Sequence, residues 1–184
     1  MGGVMSSIVL SGDTSGTVTV AVPAVAGTNT VTIAAQTGTL YAAGPTFSVY
    51  STTVQNVTSA TATKVTFNTE EWDTNNNFAS STFTPTVAGY YQIDAMLRVS
   101  ASGAIANAWV ALYKNGSIYK RGFELGGGNV MSSCQLVLSE MVYLNGSTDY
   151  IELYGYVQGI SPTFDNQYGQ PYDARMAGFL VRGV

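Results

Sequence analysis

Glu70, Glu71 and Asp73 are the only acidic cluster in the chain. Paired carboxylates are the working groups of glycosidases, where their separation and unequal acidity drive bond cleavage. Neighbouring residues at a strand end point to opposite faces, however, so these three read as solvated loop acids. A second oxygen-rich stretch runs from Asp165 to Asp173 through Asn166, Gln167 and Gln170. Loops of that composition can hold calcium, with Asp165 and Asp173 as the expected ligands. Tyr168 and Tyr172 lie beside Asn166 and Gln170, and tyrosine combines a stacking face with a hydroxyl. These four residues are the candidate grip on a sugar or a surface protein; the alternative is a loop whose aromatics pack down on the body. There is no histidine and a single cysteine, Cys134, which excludes histidine-based triads, a Cys-His pair and ordinary zinc sites. Cys134 alternates with Leu136 and Leu138 and reads as an inert core residue. Gly126-Gly-Gly128 lacks the Lys-Ser/Thr partner of a phosphate loop. The expectation is a protein that is not an enzyme and has no cofactor beyond calcium.

The composition directs attention to architecture. Of 184 residues only 10% are charged, against roughly 25% in an ordinary soluble domain, while 46% are apolar. The net charge of −4, without any basic cluster, argues against a nucleic-acid partner. No apolar run approaches the roughly eighteen residues of a membrane span, so membrane insertion is not expected. No basic-then-apolar secretory signal opens the chain, and synthesis in a cytoplasm is expected. Met1-Gly-Gly-Val-Met-Ser6 formally fits a myristoylation acceptor but reads as a flexible start.

Two regions separate. Residues 1–45 hold one aromatic, Tyr41, and one charge, Asp13. Within them Gly16–Pro23 and Gly27–Ala34 alternate threonine with β-branched apolar residues, the period of half-buried strands. Such strands are too few to bury a core alone, so this segment is expected to be an anchoring or oligomerisation arm. Residues 46–184 then show recurrent strand signals separated by turns. Tyr91, Ile93, Ala95, Leu97 and Val99 line one face of a long strand, and Asn115-Gly116 is the strongest hairpin signal. No segment has a 3.6-residue period, so the chain is expected to be all-β.

From Asp149 to Val157 both strand faces are apolar: Ile151, Leu153 and Val157 on one, Tyr150, Tyr154 and Tyr156 on the other. Trp109 and Tyr113 make a similar second face opposite Val110 and Leu112. One face can meet the opposite sheet; the other needs a neighbouring subunit, because large apolar patches are seldom left in water. These five aromatics are the expected subunit interface.

Phe78, Thr82-Phe-Thr-Pro85, Gly89-Tyr-Tyr91, Val110–Gly116, Tyr150-Ile-Glu-Leu-Tyr-Gly155 and Ala177-Gly-Phe-Leu180 occur in a characteristic order. With that order residues 46–184 resemble the complement component 1q globular-head family, which shares the tumour necrosis factor jelly roll. The resemblance implies a sandwich of about ten strands assembled as a homotrimer, with Tyr154 and its aromatic neighbours at the three-fold interface. It also implies a turn at Gly89, Gly178 and Phe179 packing the last strand into the core, and calcium near the trimer apex. The arm and the Asp73–Phe78 wording resemble tailed-bacteriophage fibre and virion proteins instead of the collagen-stalked animal members. The function expected on that resemblance is a homotrimeric surface fibre or spike of a virion. Its residues 11–40 would join other virion proteins, and its head would attach to a bacterial surface glycan or protein. The alternative is a trimeric capsid decoration or head-fibre protein that stabilises the shell; a polysaccharide depolymerase is a distant third.

Overall fold

The computed structural model describes residues 7–11, 17–21, 44–127, 130–166 and 173–184. The chain divides into two compact units, Met1–Gly38 and Thr39–Val184. In the first, β1 (Ser7–Ser11) pairs antiparallel with β2 (Thr17–Ala21), setting Ile8 opposite Val20 and Leu10 opposite Val18. The strand expected at Gly27–Ala34 lies outside the described residues.

Thirteen strands are described in the second unit. They are β3 (Thr46–Tyr50), β4 (Gln55–Asn56), β5 (Thr63–Lys64), β6 (Thr69–Asp73), β7 (Phe78–Ala79), β8 (Thr82–Phe83) and β9 (Gly89–Ser100), followed by β10 (Asn107–Lys114), β11 (Ser117–Leu125), β12 (Ser133–Leu144), β13 (Ile151–Gln158), β14 (Thr163–Phe164) and β15 (Ala174–Gly183). One sheet runs β11-β10-β13-β8-β7, with β5 also on β13; the other runs β4-β14-β9-β15-β3-β6, with β12 also on β9. All the strand pairings are antiparallel. The architecture is an all-β jelly-roll sandwich, and no helix occurs among the described residues.

The period of two decides what is buried. Tyr91, Ile93, Leu97 and Val99 from β9 and Leu136, Leu138, Val142 and Leu144 from β12 meet Val110, Leu112, Ile151, Leu153 and Val157 of the facing sheet. At one end Phe47 stacks on Phe83 and Phe78, with ring centroids 4.3 and 5.2 Å apart, and Phe83 meets Tyr91 edge-on at 5.5 Å. The buried Tyr91 hydroxyl donates to the Val87 carbonyl at 2.7 Å, so its polar end is satisfied. The inward face of β13 continues through Gly155. A Cβ there would lie 2.5 Å from Leu97 Cδ2 and 2.6 Å from Phe164 Cζ, so the missing side chain makes room for β14.

Several sequence expectations change. Thr69–Asp73, read as loop, is β6, which finds its hydrogen bonds along β3. The polar composition from Gln158 to Asp173 reads as a long loop in the sequence, yet this run contains β14. Thr63–Asn68 reads as a strand in the sequence, but only Thr63 and Lys64 form one, β5. Gly89 does not turn the chain; it starts β9 where a Cβ would lie 2.4 Å from the Arg182 carbonyl, so its role is close approach of β15. Gly178 faces the core beside Phe47 and Ile93, as the resemblance implied, but Phe179 alternates outward and is 50% exposed.

Candidate binding surfaces

The five aromatics of the expected interface gather on the outer face of the β11-β10-β13 sheet. The β10–β13 register places Trp109 opposite Tyr156 and Ala111 opposite Tyr154. Trp109 and Tyr156 stack at 5.1 Å and 7°, and Tyr113 and Tyr154 at 3.8 Å and 19°. The Arg121 guanidinium covers Trp109 at 4.4 Å, leaving that ring 6% exposed. Burial pushes the Tyr154 hydroxyl above its ordinary pKa, and the Glu152 carboxylate adds to the shift. Much of each ring face is therefore used within one chain.

Tyr150 marks the end of this row. Its N–H donates to Asn115 Oδ1 at 3.0 Å, and its carbonyl accepts from the Asn115 N–H at 3.1 Å. Asn115 also donates to Asp149 Oδ1 at 2.8 Å, and Lys114 Nζ stands 2.9 Å from Asp149 Oδ2. The Asn115 and Lys114 hydrogen bonds hold the Asp149 carboxyl below its usual range.

A further exposed apolar surface lies on the other sheet, where sequence reasoning did not place it. Cross-strand registers there set Tyr143 beside Tyr90, and Met141 and Phe179 on either side of Gln92. Tyr90, Met141, Tyr143, Phe179 and Val181 are all exposed, and the Tyr90 and Tyr143 rings lie 5.5 Å apart. The signal was present in the strand alternation: outward positions Val137, Met141 and Tyr143 of β12 are as apolar as the inward ones.

Next to this band is a cavity of about 430 Å³, lined by Ser48, Glu71, Trp72, Asp94, Met96, Val137, Arg175 and Ala177, with Ala95 backing it. Two of the acidic cluster thus separate. Glu71 enters the cavity and accepts from Ser48 Oγ at 2.5 Å. Asp73 is committed to its own turn, accepting from the N–H groups of Phe78 at 2.7 Å and Asn75 at 3.3 Å. Glu70 lines a smaller hollow with Phe67 and Phe78.

Asp165 and Asp173 are brought together at one neck. Asp165 N–H donates to the Arg98 carbonyl at 2.9 Å, and Arg98 N–H donates to the Asp173 carbonyl at 2.6 Å. Asp165 Oδ2 accepts from Arg98 Nε at 3.1 Å and Ser100 Oγ at 2.8 Å, so the expected calcium ligand already faces a guanidinium. Asp173 is 2% exposed, and Asn166 is 6% exposed and donates to the Ser51 carbonyl. Asn166 is thus a buried neck residue, not an outward grip. No group of three Cys, Asp or Glu gathers as metal ligands among the described residues. Tyr168, Gln170 and Tyr172 lie outside the described residues. Cys134 is half-buried on β12, and burial raises its thiol pKa while Arg98 pulls it down.

No protein-family model matches the chain, and no curated protein matches it. Solved structures do. The globular domain of zebrafish complement 1qA protein superposes with a TM-score of 0.52 at 20% identity, covering 77% of this chain and all of that one. Murine APRIL gives 0.56 at 7% identity over 76% of this chain and all of its own. The Eiger tumour necrosis factor of S. frugiperda gives 0.55 at 9%, over 77% and 94%. The fold is the complement 1q/tumour necrosis factor jelly roll. At these identities the likeness establishes architecture alone. On this jelly roll the exposed apolar band and the cavity share one sheet face, and the stacked aromatic row occupies the other.

Proposed function

We propose that this chain is a homotrimeric, non-enzymatic display module of a virion. Its jelly-roll head serves host-surface attachment, and residues 11–40 join it to other virion proteins. The observation that carries the trimer is the exposed band of Tyr90, Met141, Tyr143, Phe179 and Val181 on one sheet face. Contiguous apolar surface of that kind marks interaction sites. Three copies around an axis form a closed assembly, whereas an unclosed contact would continue into a filament. The virion setting is supported by the resemblance of the Thr/Val-rich arm and the Asp73–Phe78 loop to phage proteins. Weak sites in triplicate gain by avidity, so modest affinity at each suffices for attachment.

Light scattering of the purified chain tests the assembly: a mass of three copies supports it, and a monomer overturns it. Labelling the chain on intact particles tests the virion role, and its position at tail or shell separates a fibre from a capsid decoration.

A further inference from the structure

The cavity beside the apolar band is lined by residues other than the five that carry the proposed trimer contact. Trp72 forms one wall and is 49% exposed, with its Nε1–H donating to Thr46 Oγ1 at 3.3 Å. No aromatic or cationic group stacks on its ring among the described residues. Two carboxylates share the cavity, and each is oriented by neutral donors. Glu71 accepts from Ser48 Oγ at 2.5 Å; Asp94 Oδ1 accepts from Ser139 Oγ at 2.6 Å and Gln92 Nε2 at 3.2 Å. Arg175 lines the same cavity and is exposed. None of these three charges belongs to an ion pair among the described residues.

We infer that this groove is a saccharide-binding site, taking one or two neutral sugar units of a surface glycan. Its volume falls within the roughly 300–1,000 Å³ of small-molecule sites. A sugar ring offers an apolar C–H face to the open Trp72 ring and hydroxyls on its rim. Those hydroxyls donate to the spare lone pairs of Glu71 and Asp94 and accept from the Arg175 guanidinium. The two carboxylates outnumber Arg175 and disfavour an anion, while a neutral polyol can use both the carboxylate acceptors and the Arg175 donors. Ser48, Ser139, Gln92 and Thr46 hold the groups in place beforehand, which lowers the ordering cost of binding.

The inference rests on the chain being a surface-binding module, but not on its being trimeric. The probe is an array of bacterial-type oligosaccharides ending in N-acetylglucosamine, galactose or rhamnose, followed by titration of the best binder into the full chain, with the mass measured on each sample. Expected are a change in Trp fluorescence on binding and at least a tenfold loss of affinity in Trp72→Ala and Asp94→Asn. Trp72→Phe, which keeps a stacking face, should retain most of the binding, and the mass should be unchanged in all three. A blank array with well-folded protein overturns the inference, as does binding that survives Trp72→Ala. It also fails if Trp72→Ala or Asp94→Asn breaks up the assembly, because the groove is then a contact between copies. Trp72-dependent binding by a monomer would sustain the site while refuting the trimer.

Discussion

Arg98 holds Asp165 at two points: its carbonyl accepts the Asp165 N–H at 2.9 Å, and its Nε donates to Asp165 Oδ2 at 3.1 Å. Both side chains are mostly shielded, so the pair should be worth more than a solvated surface bridge, but it still loses part of its attraction to water. Arg98→Ala or Asp165→Asn is expected to lower unfolding free energy by about 1 kcal/mol, seen as a reduced midpoint in urea. Calcium added to the native chain should leave that midpoint in place, since a guanidinium already occupies the carboxylate.

Replacing Gly155 by valine should be at least as damaging. The new side chain would enter space held by Leu97 and Phe164. Overpacking of this kind costs about 1–3 kcal/mol, and here it would also push β14 away from β9. Thermal unfolding measures the loss, and faster amide exchange at Phe164 would locate it.

Phe179→Asp and Tyr143→Asp place charge on the exposed band without touching the core. Each is expected to convert the proposed trimer to monomers by light scattering while the circular dichroism spectrum stays native. Unchanged mass in both would show that copies meet elsewhere, with the Trp109–Tyr156 row the next surface to probe.

Asp149 supplies a pH dependence of defined sign. Its folded pKa lies below the ordinary value, chiefly through the Asn115 hydrogen bond and then Lys114. Its contribution is therefore complete above the unfolded carboxylate pKa and is lost as pH falls through the folded one. Comparing urea midpoints of the native chain and Asp149→Asn from neutral to acid pH should show a gap that closes on acidification.

Cys134 should resist thiol reagents near neutral pH. Burial raises its pKa, and only the thiolate reacts. Full labelling is expected only on unfolding, read by the kinetics of a chromogenic disulfide reagent.

The alternation along β9, β10, β12 and β13 was legible because each long strand has one buried face, and a period of two survives any register. Two of the short strands, β6 and β14, were not. β6 carries Thr-Glu-Glu-Trp-Asp, a poor strand sequence stabilised by pairing with β3, and β14 exists because Gly155 leaves room for Phe164. The aromatic row was found on the correct strands, but sequence could not show that its rings stack on each other. The groove escaped notice because its parts are far apart in the chain. Ser48, Glu71, Asp94 and Arg175 meet only when β3, β6, β9 and β15 lie side by side.

The Arg98 neck has a practical consequence. Whatever sequence runs between Asp165 and Asp173 leaves and re-enters the sheet at a single residue, through main-chain bonds that read no side-chain identity. A graft that keeps Asp165, Asn166 and Asp173 would inherit this fixed doorway, since the Asn166 side chain also donates to the Ser51 carbonyl.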